Sequence, residues 1–109
     1  MAMRLYILQR ATAMLMVPLI LVHLAVIFYA TRQDLTAADV LSRTRGSFVW
    51  ALFYGTFVLA AAIHAAIGVR TVLIEWTALG AREVDLAAAA LGVLLLGLGL
   101  RAVAAVVLA

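Results

Sequence analysis

Two histidines and two arginines are the residues of this chain best equipped for chemistry. His64 stands in the run "AAAIHAAIGVRTVLIEW" (residues 60–76), six positions before Arg70, and His23 stands in an apolar run that begins after Arg10. At helical spacing His64 shares its face with Ala60, Ala61, Ile67 and Gly68, with Phe57 and Thr71 a further turn away. Small residues above and below an imidazole leave room for a flat macrocycle, and neutral imidazole is the usual axial ligand of b-type haem. The same alanines and glycine would equally serve close helix packing, with His64 hydrogen-bonding across the interface. Residue chemistry leaves both uses open.

The solvent around these residues follows from composition. Of 109 residues, 69% are hydrophobic and 12% charged, against roughly a quarter charged in a soluble globular domain. Three long apolar stretches follow, the third carrying Arg101 within it, each long enough at ~20 residues to cross a ~30 Å hydrocarbon core as a helix. The spans are placed at about 11–30, 48–69 and 86–108. Backbone groups in lipid must be paired internally, so the fold class is all-α: an integral membrane three-helix bundle, read as one unit over residues 1–109. The first span has a longer apolar core than a secretory signal and a poor cleavage site in "FYATRQ", so it reads as a retained helix.

The connections are short. Thr36 followed by Asp39 resembles a helix start, and Val40 and Leu41 suit an interfacial position, so a short surface helix is expected there. The second loop carries Trp76, suited to an aromatic belt, and reads as a solvated connector. Arg4, Arg10, Arg70 and Arg82 would face one side and Arg32, Arg43, Arg45 and Arg101 the other, so counting charges does not orient the chain. A net charge of +3 spread over both surfaces makes no patch for nucleic acid; anionic lipid headgroups suit these arginines. With no cysteine, disulfides, thiolate-held iron–sulfur clusters and attached c-type haem are excluded for this chain.

His23 keeps bulkier company than His64. Its face holds Met16, Leu19, Ile20, Val26 and Ile27, and Pro18 is expected to kink the helix just before it. At ~1.5 Å per residue, His23 lies ~20 Å beyond Arg10 and His64 ~9 Å before Arg70. If the two arginines mark one membrane surface, the histidines differ in depth by ~10 Å on the same rise and do not clamp one iron between them.

At these residues a family resemblance emerges. "LQRATAML" and, one helix later, "HAAIGVRTVLIEW" resemble the cytochrome b membrane-anchor subunit, of the C type, of the succinate dehydrogenase and fumarate reductase family. In that family the first helix opens with histidine, arginine, any residue, serine or threonine, and glycine. The second helix ends with histidine, three apolar residues, glycine, an apolar residue, arginine, histidine and then an acidic residue. Arg10 and Thr12 match the first pattern; His64, Gly68, Arg70 and Glu75 match the second. Gln9, Ala13 and Thr71 depart from it, and Tyr6 stands where a serine is common.

The resemblance implies a function and a set of roles. His64 would be an axial ligand of haem b and of its iron, with Arg70 at a propionate. Arg10, Thr12 and Tyr6 would line the quinone site. His23 would be a candidate ligand for a second haem, as in members that carry two. Electrons from a dicarboxylate oxidised on a flavoprotein subunit would pass through an iron–sulfur subunit to membrane quinone. A second membrane-anchor subunit would pack against this one, with the N-terminus cytoplasmic, in a bacterial inner membrane. The alternative is a cofactor-free structural or assembly anchor, which leaves the small-residue face of His64 unexplained. A proton-coupled transporter would call for a fourth span and an intramembrane carboxylate, and the spans supply neither.

Overall fold

A computed structural model describes residues 3–108; Met1, Ala2 and Ala109, the ends of the expected unit, lie outside the described residues. Among the described residues there are four helices and no strand: α1 (Met3–Arg32), α2 (Ala37–Thr44), α3 (Phe48–Trp76) and α4 (Ala81–Val107). The long helices have 30, 29 and 27 residues and are apolar enough to cross a membrane. At ~1.5 Å per residue each exceeds the ~30 Å hydrocarbon core. The chain is a multi-pass membrane protein with an all-α bundle fold. Its long helices run past the expected spans at the Arg10 end, adding 3–10 to the first and 70–76 to the second.

Helix α3 is the centre of the bundle, packing against α4 along most of its length and against α1 on another face. The covered positions of α1 form one stripe, Leu5, Gln9, Thr12, Met16, Leu19, His23, Val26 and Ala30, at the three- and four-residue spacing of a single helix face. The rest of α1, including Met14, Leu21, Leu24 and Phe28, is exposed apolar surface. Lipid has no preference between such faces, so close approach by small residues decides which sides meet. Between α3 and α4 that role falls to Ala66 against Gly92 and to Val58 against Gly99, where any side chain at position 99 would collide with Val58. Helix α1 continues unbroken through Pro18, so the kink expected there does not interrupt it.

The expected surface helix is present as α2. Thr36 accepts the Asp39 backbone N–H through its hydroxyl (3.1 Å), and Asp39 accepts the Thr36 backbone N–H through its carboxylate (2.9 Å), a reciprocal capping box. These bonds, that from the Thr36 backbone first, hold the Asp39 carboxyl below its usual value, with Arg43 adding to the effect. The far end of α2 is fastened to the C-terminus of α4. The Thr44 hydroxyl donates to the Val106 carbonyl (2.6 Å), and the Gly46 N–H donates to the Val107 carbonyl (2.7 Å). Both carbonyls belong to the last turn of α4, which has no intrahelical partners for them. Gly46 reaches its position with φ of +71°, a conformation that a side chain disfavours.

Candidate functional site

The site is assembled where α1 meets the second half of α3. Thr12, only 6% exposed, lies on the covered stripe of α1 and brings its hydroxyl to 3.2 Å from Nδ1 of His64. The same hydroxyl lies 2.9 Å from the carbonyl of Leu8 and 3.0 Å from that of Gln9, the back-bonding habit of a helical threonine. Among the described residues Nε2 of His64 has no hydrogen-bond partner. One turn towards Arg70, Gly68 faces Gln9 so closely that a Cβ there would lie 3.4 Å from the Gln9 amide nitrogen. The side-chain oxygen of Gln9 is buried without a partner, an unmet acceptor on the covered stripe of α1.

The small residues divide between the two uses that the sequence leaves open. Ala62 and Ala66 line the contact with Ala89, Gly92 and Val93 of α4 and serve helix packing. His64 and Gly68 look the other way, towards α1. Small residues of α3 thus serve close approach on two sides, Ala62 and Ala66 towards α4 and Gly68 towards Gln9 of α1.

The other expected residues fall into place around this centre. Tyr6 and Arg10 lie one turn apart on the exposed side of α1, with the guanidinium carbon 6.0 Å from the ring centroid. Thr12 is not with them: two residues on, the helix has turned its side chain inward to His64. Arg70, with a side chain 25% exposed, donates through Nε to Asp85 of α4 at 2.8 Å. That bond uses one of the five guanidinium donors and leaves the forked Nη groups available. A partly exposed pair of this kind contributes only about 0–1 kcal/mol to stability, so its main effect is to fix where the cation stands. Sequence reasoning does not single out Asp85; an opposite charge beyond the short α3–α4 turn is the signal that points to it.

His23 lies elsewhere. Its ring meets Tyr54 and Phe57 of α3 edge-on, each with centroids 5.7 Å apart, and Nδ1 is buried with no partner. Ile20 and Ile27, expected to crowd it, are 38% and 46% exposed and face away from the bundle. A cleft of about 280 Å³ opens beside it, lined also by Val58, Gly99, Ala102 and Val103. His64 lies level with Thr12, and from position 12 to position 23 of α1 at ~1.5 Å per residue is ~16 Å. The two imidazoles are too far apart to share one metal. No group of three or more His, Cys, Asp or Glu side chains suited to a metal ion occurs among the described residues.

Fold and site together define a three-span membrane subunit with one side-chain-anchored imidazole between two helices and an exposed arginine near the same surface. A family model described as succinate dehydrogenase/fumarate reductase transmembrane subunit matches residues 1–108. The chain belongs to that family and is a membrane-anchor subunit that associates with the other subunits of such a complex. No curated protein and no solved structure matches it.

Proposed function

We propose that this subunit is the haem b-binding, C-type cytochrome anchor of a succinate:quinone oxidoreductase or fumarate reductase, passing electrons from an iron–sulfur partner to membrane quinone. The observation that supports it best is His64: an intramembrane imidazole held at Nδ1 and without a partner at Nε2 among the described residues, on a face of small residues. An ionisable group placed in a span at such cost marks a functional position. Through Nε2 of His64 this chain would hold the haem by one residue, and the partner anchor subunit would provide any further ligand. Haem bound there supplies one-electron storage beside the path to quinone.

The chain's own residues do the rest. Arg70, fixed by Asp85, offers its free Nη groups to a propionate. Arg10, exposed and stacked near Tyr6, offers charge-assisted hydrogen bonds to a quinone carbonyl whose negative charge grows on reduction. Tyr6 is the neighbouring hydroxyl. Arg10 lies near the N-terminal surface, which the proposal sets on the cytoplasmic side, where the iron–sulfur and flavoprotein subunits dock, in a bacterial inner membrane. His23, enclosed by two aromatic rings, is assigned no haem, and the complex carries one.

The test is a reduced-minus-oxidised spectrum of the purified complex, with co-purifying subunits identified. A b-type signal is expected with wild-type protein and none with His64→Ala, whose insertion depends on total hydropathy and is retained. A haem-free wild-type complex of the same subunits would establish the cofactor-free anchor instead.

A further inference from the structure

The proton count around Thr12 carries a consequence for His64. The hydroxyl has one proton and two oxygen lone pairs. Two of its three close neighbours, the carbonyls of Leu8 and Gln9 at 2.9 and 3.0 Å, can only accept. Its one proton therefore goes to the Leu8 carbonyl or is shared between the two, and in the remaining contact, 3.2 Å to Nδ1 of His64, the imidazole donates. The opposite assignment would aim the proton at Nδ1 and leave two carbonyl oxygens facing a hydroxyl oxygen with nothing between them.

We infer that Thr12 is a positioning residue that locks His64 in the Nδ1–H tautomer, leaving the Nε2 lone pair as the only one available to an iron. This rests on the haem reading above for its purpose, but the tautomer itself is a property of α1 and α3 alone. Which ring nitrogen of a histidine binds metal is set by the hydrogen bond that the other makes. A donor hydrogen bond from Nδ1 also raises the basicity of Nε2 and fixes the ring plane. Thr12 reaches its place because it lies on the covered stripe of α1, with Gln9 one turn below and Met16 one turn above. Valine at position 12 keeps the shape and removes the acceptor; serine keeps the acceptor and loses a methyl group.

The experiment has two arms. In the first, the full chain in lipid nanodiscs without haem is labelled with ¹⁵N histidine, and the His64 ring nitrogens are assigned by NMR. Wild type and Thr12→Ser are expected to show a protonated Nδ1 and a bare Nε2. In Thr12→Val the ring reverts to the Nε2–H form that free imidazole side chains favour. A wild-type ring protonated at Nε2, or a tautomer unchanged by valine, overturns the inference. In the second arm the assembled complex is titrated with haem and its midpoint potential measured. Thr12→Val is expected to weaken haem retention by about 10–100-fold and to raise the potential, because a less basic ligand stabilises ferric iron less. Thr12→Ser is expected to restore both, and a valine variant matching wild type in both overturns the role towards iron. A complex that holds no haem even with wild-type protein defeats the proposed function while the first arm still decides the tautomer.

Discussion

The two ends of the bundle treat a half-buried imidazole in opposite ways. At the Arg10 end, His64 is tied by Thr12, and Arg70 is steadied by Asp85. At the Asp34 end, His23 has aromatic edges for neighbours and a buried Nδ1 with nothing to bond. An imidazole with one nitrogen held is preorganised, because its ring plane and tautomer are chosen before any ligand arrives. One without a partner carries the cost of a buried polar group and no orientation in return. The presence of a histidine in a span therefore says less than what the neighbouring helix offers to its second nitrogen.

The sharpest way to break this contrast is at Arg10. Arg10→Leu keeps a good helix former but removes the cation and its donors. A charge-assisted hydrogen bond contributes ~1.5–3 kcal/mol, and 1.36 kcal/mol is a factor of ten in rate. Quinone reduction is therefore expected to fall by about 10–100-fold, while succinate oxidation with an artificial acceptor upstream of the membrane stays within a factor of two or so. Equal losses in the two assays would place Arg10 in assembly and remove the functional asymmetry between the two ends.

The opposite end is tested by His23→Phe. Phenylalanine keeps a flat ring between Tyr54 and Phe57, where edge-to-face packing is favourable. It also deletes the unpartnered Nδ1, whose burial costs ~1–3 kcal/mol. Thermal unfolding of the complex in mild detergent is expected at the same or a higher temperature, with the haem-to-flavin ratio unchanged at one haem. Loss of half the haem would show that a ligand reaches His23 from the partner's side, and the two ends would then be alike.

These contrasts were only partly legible in the sequence. The three long helices follow from hydropathy and the α2 start from Thr36 and Asp39, because both signals are local. His64 stands out because an imidazole is rare among alanines in a span. Its bond to Thr12 is not local: it depends on the register of α1 against α3, and helices apolar on every side carry little periodic signal to fix that register. For the same reason Ile20 and Ile27 looked like neighbours of His23 when the rings of Tyr54 and Phe57 occupy that place. The fastening of Thr44 and Gly46 to α4 is equally hidden, since it joins Thr44 to Val106 and Gly46 to Val107, far apart in the chain, through a hydroxyl and a backbone amide.

The smallest expected effect belongs to α2, which closes the Asp34 end. Asp39 is fully exposed, and its carboxyl is lowered from 3.8 first by the Thr36 backbone N–H, then by the Thr36 side chain. Because the folded value is depressed, the capping box is at full strength above the ordinary value and is lost as pH falls through the lowered one. Carboxyl ¹³C NMR of the full chain in nanodiscs should give an Asp39 midpoint below 3.8, with the amides of α2 shifting along the same curve. Thr36→Ala removes the hydroxyl but leaves the backbone N–H to the carboxylate, so the midpoint should rise only part of the way back. The Thr44 and Gly46 bonds hold the other end of α2 without any titrating group, so α2 should fray from Ala37 and stay fastened at α4. Amide shifts at Thr44 that follow the Asp39 titration would show instead that the short helix melts as a unit.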